Sequence, residues 1–506
     1  GHYHQPAHSE LISALVSNHH LIEITMKIIN KIIVAFVLAS ALLTSCTGSF
    51  DELNTDPTRL DEANPGTFLN PILYNMTSYN WKRYNDYTFA LMQSKVSTSS
   101  TNGLGWYYVG DAAGDGTWST YYKWLNNIRE MEKEAVKLNV VNYQAVSITL
   151  RSWIYQLLTD AFGNVPMTEA CRGDEQLFTP KFDTQEDIYH TLIDDLATAN
   201  TLFDTKTGLK YNTTADMLYK ASSTDATGML KWKKFCNSLR MRILMRVIDV
   251  DGFNAAAELK KMIDDPATYP VFASNEDAAM LSITGVAPEE APLTRPQDFT
   301  AYLSLSEFFI NHLVAWNDPR LPLFATKAKN DGVSSYIGLP SGYAIAPSIN
   351  ASQPNQAICK APMKLAIMTY SEVEFIKAEL AQRSIIDPSL AQTAYENGVK
   401  ASVEQWGGVM PANYFANAQA AYNGTLERIM EQKFFALFFV DYQQWFEQNR
   451  TGLPVMPRGD GVPSGNVMPK RLLYPAVLQR TNLKNYQEAK AVMGGDELST
   501  KLMWQK

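Results

Sequence analysis

Cysteine is scarce in this chain of 506 residues: only Cys46, Cys171, Cys236 and Cys359 occur. No C-x-x-C or Cys/His spacing joins them, which speaks against a structural zinc site and against a fold stapled by disulfides. Histidine is nearly confined to the first twenty residues (His2, His4, His8, His19 and His20), which leaves His190 and His312. Both fall in amphipathic stretches and read as structural polar contacts rather than catalytic bases. G-x-S-x-G, the P-loop and G-x-G-x-x-G are all missing; Gly338-Leu339-Pro340-Ser341-Gly342 misplaces the serine for a nucleophile elbow. Excess positive charge is also lacking. With 44 Lys and Arg against 52 Asp and Glu, a net charge of -8 argues against nucleic-acid or polyanion binding. The longest dense apolar run past the leader, Phe434 to Val440, is far short of a bilayer span.

What is present begins with Cys46. Lys27 and Lys31 precede an apolar run, Ile32 to Leu43, which ends in Leu43-Thr44-Ser45-Cys46. A charged n-region, a short h-region and a small-residue cut predict a secretory signal peptide. A cysteine just after the cut is where a bacterial lipoprotein carries its lipid. Residues 26–45 are therefore expected to be a lipoprotein signal peptide, with Cys46 as the lipidation site and 46–65 as a lipidated tether. Residues 1–25 precede Met26 and read as a mis-assigned start or an added segment, so they are set aside.

Beyond the tether, apolar residues recur at spacings of three and four. The pattern predicts helices over 123–138, 143–162, 184–202 and 230–249, the second stopping at Gly163-Asn164-Val165-Pro166. Between residues 251 and 362, Pro, Gly, Ser and Asn accumulate, and only 303–316 keeps a helical period. That third is expected to be mostly irregular, with a few short strands. Helices return at 369–383, 389–405 and 426–448, and the tail from Gly452 is again Pro/Gly-rich. Paired helices with loop-rich insertions predict a mainly α fold of tetratricopeptide-like helix pairs presenting a large loop-rich face, although no clean repeat is visible.

Chemistry-bearing signals are weak. Asp111 and Asp115 flank glycines but lack calcium-loop spacing, so no metal and no cofactor is expected. A carboxylate-pair glycosidase needs only two placed acids, a geometry invisible in sequence. Aromatic density is the better clue. Between Tyr74 and Trp124 about a quarter of residues are aromatic, against 11% overall, and Trp106-Tyr107-Tyr108 lies among Ser, Thr, Asn and Gly. Loop aromatics offer flat faces for the C–H patches of sugar rings, with polar neighbours to fix hydroxyls. Trp81, Asn102, Trp106, Tyr107 and Tyr108 are the candidate ligand-binding residues. Phe89, Tyr121 and Trp124 are assigned to the core.

Several separated stretches, in order, resemble the SusD/RagB family of outer-membrane lipoproteins, in its SusD-like branch. They include Phe50-Asp51-Glu52-Leu53-Asn54-Thr55-Asp56-Pro57 and Leu150-Arg151-Ser152-Trp153 running into Gly163-Asn164-Val165-Pro166. Trp232-Lys233-Lys234-Phe235 with Arg240, Arg242 and Arg246, Asn317-Asp318-Pro319-Arg320 and Arg471-Leu472-Leu473-Tyr474-Pro475 continue the series. The resemblance implies a single SusD-like domain over 66–506 and a non-enzymatic role. It implies a lid on a SusC-like TonB-dependent transporter, which captures an oligosaccharide, or in some members an oligopeptide, and delivers it. It also implies outer-membrane residence by the lipid on Cys46, facing the cell surface. In that family an aromatic arc meets the glycan, and Trp106 falls in the comparable loop. One departure is that Asp51 and Glu52 stand back from Cys46 behind Thr47-Gly48-Ser49-Phe50.

Overall fold

Helical periodicity sets the frame. The computed structural model describes residues 64–505; the leader, Cys46 and the tether up to residue 63 lie outside them. The longer helices are α1 (Gly66–Arg83), α2 (Asp115–Lys137), α3 (Val141–Phe162), α4 (Gln185–Leu202), α5 (Met229–Arg246) and α6 (Ala255–Asp264). They continue with α7 (Glu307–Ala315), α8 (Tyr370–Gln382), α9 (Ala391–Gln405), α10 (Leu426–Ala436), α11 (Gln443–Thr451) and α12 (Leu483–Met493). Chain neighbours pack in succession: α1 on α2, α2 on α3, α3 on α4, α4 on α5, then α8 on α9 and both on α10. The fold is mainly α, with a frame of sequentially paired helices.

Burial follows the spacing. On α2, Thr117, Tyr121, Leu125, Ile128, Met131 and Ala135 form one buried stripe. On α4, Ile188, Leu192, Leu196 and Ala199 do the same, and the Thr184 hydroxyl accepts from the Asp187 backbone N–H at 3.2 Å to cap the helix. Nearly all of α3 is buried, so it is a central helix rather than an amphipathic one. It ends at Gly163, whose φ of 95° suits glycine. Phe89 and Tyr121 are fully buried and Trp124 is partly so.

Three expectations are corrected. The stretch 303–316 is not one helix: β3 (Leu303–Leu305) comes first, and Ser306 then caps α7 by accepting from the Phe309 N–H at 3.0 Å. The stretch 426–448 is not continuous either. It breaks between α10 and α11, where Phe439 and Asp441 take φ values of 59° and 40°. No Gly or Pro marks that break. Ring packing overrides propensity: Phe439 stacks on Trp81 at 4.9 Å, and Phe438 meets Phe324 at 4.4 Å. The tail contains α12, docked by Tyr486 and Ala489.

The middle third is loop-rich with short antiparallel pairs: β1 (Lys95–Ser97) with β3, β2 (Ala279–Ile283) with β6 (Met363–Met368), and β4 (Ala328–Asn330) with β5 (Val333–Ser335). Among the described residues, Cys171, Cys236 and Cys359 are unpaired.

Buried charge ties the frame together. Arg246 on α5 pairs with Asp160 of α3 at 2.8 Å and with Glu447 of α11 at 2.6 Å. Glu447 also takes Lys433 of α10 and Arg450, and Arg450 reaches Glu379 of α8 at 2.7 Å. Arg242 of α5 pairs with Glu372 of α8 at 2.7 Å. Burial alone would raise the Glu447 carboxyl, but Arg450, Lys433 and Arg246 hold it well below the usual carboxylate range.

Candidate functional site

The candidate aromatics do not converge on one exposed surface. Trp81 is buried between Phe439 and Phe299. Trp106 is only 1% exposed. Its indole N–H donates to the Tyr343 carbonyl at 2.9 Å, and its ring meets Tyr343 edge-on at 5.0 Å. Tyr107, with φ 57°, is buried as well. The expectation that Trp106, Tyr107 and Trp81 present ring faces to solvent is therefore corrected. A loop set among polar residues still returned its largest rings to the interior, where their apolar area is better placed. Tyr108 and Asn102 stand exposed on the loop.

The burial of Trp106 nevertheless points to a site. With Val96, Leu339 and Tyr343 it forms a small separate cluster, against which Ala351 packs. Leu339 and Ala351 also line a half-open groove of ≈ 600 Å³, a size suited to a small ligand. Trp106 is thus the support beneath the groove floor.

The walls are drawn from separate segments. Thr98 follows β1, the turn at Tyr302 leads into β3, Lys327 and Lys329 come from the β4 segment, and Ile349 and Gln353 come from the following loop. Backbone bonds hold these together: Leu305 N–H to Ser352 O at 2.7 Å, Leu339 N–H to Leu305 O at 3.0 Å, and Thr326 N–H to Gln353 O at 3.0 Å.

Tyr302 is the groove's notable residue. It is 75% exposed, and among the described residues its hydroxyl has no partner. Its φ is 55°, a left-handed conformation that costs a bulky residue about 1–3 kcal/mol. The surroundings over-determine it. Its carbonyl accepts from the Thr98 N–H at 2.9 Å. The Gln353 side-chain amide donates to the Thr300 and Leu303 carbonyls at 3.1 and 3.2 Å, and Gln356 donates to the Thr300 hydroxyl at 3.0 Å. The backbone that carries this exposed ring is thereby fixed at the groove edge, against backbone preference. Ile349, 45% exposed, adds apolar surface. Sequence reasoning missed Tyr302, Lys327, Lys329 and Gln353; its only hint was the Pro/Gly/Ser/Asn-rich composition of the middle third.

The two remaining histidines are engaged in packing. His190 stacks on Phe253 at 4.1 Å, and His312 Nδ1 lies 2.7 Å from the Phe308 carbonyl.

A family model described as "Starch-binding associating with outer membrane", of the SusD-like type, matches residues 57–475. The chain belongs to the SusD-like family. The description of this family supports carbohydrate binding and association with the outer membrane. Solved SusD-like structures share the fold. A chitin-binding protein is 25% identical with a TM-score of 0.74, over 87% of this chain and 100% of its own. A SusD homologue from Bacteroides fragilis is 25% identical with a TM-score of 0.73, over 88% and 100%. Another, from Bacteroides uniformis, is 20% identical with a TM-score of 0.73, over 88% and 100%. A search of curated protein sequences returned no match. Among the described residues, no helix is long and apolar enough to cross a membrane.

Proposed function

We propose that this chain is a non-catalytic, cell-surface lipoprotein that captures oligosaccharides in the groove beside Tyr302 and delivers them to a SusC-like TonB-dependent transporter. Lipidation at Cys46 would tether it to the outer membrane. The observation that carries the binding reading is the Tyr302 ring, held exposed by a strained and braced turn above a floor backed by Trp106. Strain maintained at a solvent-facing aromatic has no packing benefit to offset it, whereas a stacking platform gives it a use. The groove is open to solvent on one side, as release of a cargo requires. A receptor that must release its cargo suits micromolar to millimolar affinity, about 4–8 kcal/mol.

Affinity electrophoresis of the purified protein through gels containing individual polysaccharides tests the reading. Retardation in at least one glycan, with no sugar released on long incubation, is the expected result. Release of product at catalytic rates would make the protein an enzyme, and binding confined to peptide mixtures would make the cargo a peptide.

A further inference from the structure

We propose that the groove takes an acidic oligosaccharide, one carrying carboxylate or sulfate groups on its rings. This rests on the carbohydrate reading above and narrows its substrate class. Lys327, just before β4, and Lys329, within it, flank Ala328. Ala328 between them is buried, and both lysines line the groove. Neither is ion-paired among the described residues; the Lys327 ammonium instead lies 5.6 Å from the centre of the Tyr336 ring. No Asp or Glu lines the groove, although the chain carries 52 acidic residues.

Two lysines without a carboxylate partner thus line a concave face beside an exposed tyrosine. A neutral sugar would leave that charge without a counterpart. A ring carboxylate or sulfate would accept charge-assisted hydrogen bonds, roughly twice as strong as neutral ones. The acidic balance of the whole chain does not oppose this. Beyond a Debye length of about 8 Å at physiological salt, distant charges are screened, so the local lysines decide.

The test is isothermal titration of the full-length protein with length-matched oligosaccharides in three arms: oligogalacturonate, a sulfated galactan oligomer and an uncharged maltooligosaccharide. One charged arm is expected to bind at least about tenfold tighter than the uncharged one. That advantage should shrink between about 20 mM and about 300 mM salt. The carboxylate and sulfate arms distinguish the two anion sources. Lys327→Gln combined with Lys329→Gln should erase the preference and leave uncharged binding within about twofold. Lys484→Gln with Lys490→Gln, exposed positions on α12 outside the groove lining, should leave the preference intact. Equal binding of charged and uncharged arms, or a preference indifferent to the groove lysines, overturns the acidic class and leaves the carbohydrate reading standing. No binding to any sugar overturns both.

Discussion

Glu447→Gln tests the buried network that fixes the helical frame. Arg246, Lys433 and Arg450 face Asp160, Glu379 and Glu447, so the charges balance. The side chains of both Glu447 and Arg450 are only 5% exposed. Glutamine keeps the shape and removes the charge, leaving one cation without compensation in a dry interior. Breaking a buried pair in this way costs about 3–5 kcal/mol. Residues 63–506 form one unit, and at about 2.1 cal/mol/K per residue its unfolding entropy is about 0.9 kcal/mol/K. The expected fall in melting temperature is therefore about 3–5 °C by scanning calorimetry. Lys433→Met in the Glu447→Gln background should restore part of the loss, because it removes the stranded charge. A double-mutant cycle then reports the coupling. An unchanged transition in Glu447→Gln, or strictly additive losses, would refute the idea that balanced charge pins these helices.

Trp106→Ala should lower stability by about 3–5 kcal/mol through the cavity left under Leu339 and Ala351, seen as a lower melting temperature; Trp106→Phe should recover part of it. Asp441 supplies a pH signature. Burial pushes its carboxyl up to about 7 from 3.8, against the pull of Arg242. The folded state therefore binds the extra proton between those values, and stability falls as pH rises through that window. Asp441→Asn keeps the acceptor used by the Tyr442 and Gln443 N–H groups and replaces the unpartnered Oδ2. Urea unfolding at pH 5 and pH 8 should show a flatter profile for Asp441→Asn and a gain at pH 8 of up to about 4 kcal/mol. Equal slopes for the two proteins would contradict the shift.

Local periodicity made the frame legible. The buried stripes of α2 and α4 repeat every three to four residues, and Gly163 stops α3 where a left-handed glycine is needed. The break after α10 was hidden because the contacts that impose it, Phe439 on Trp81 and Phe438 on Phe324, join segments far apart in the chain. Strand β3 was hidden because its partner β1 lies about two hundred residues upstream. The site was half legible. Aromatic density drew attention to the Trp106 loop, which does support the groove. Composition cannot say which rings turn inward, and Trp106 is held in by the hydrogen bond its indole N–H donates to the Tyr343 carbonyl, more than two hundred residues away. Tyr302 carried no local signal, because its turn is braced from a distance, by Gln353 on the flanking Thr300 and Leu303 carbonyls and by Thr98 on its own carbonyl.

Calorimetric titration of wild type and Tyr302→Ala with one glycan that retards the wild type decides the role of the groove most directly. Loss of at least about tenfold in affinity, with an unchanged melting temperature, is expected, because an exposed ring contributes to a ligand and little to the fold. Equal affinity in the two proteins would place the binding surface elsewhere.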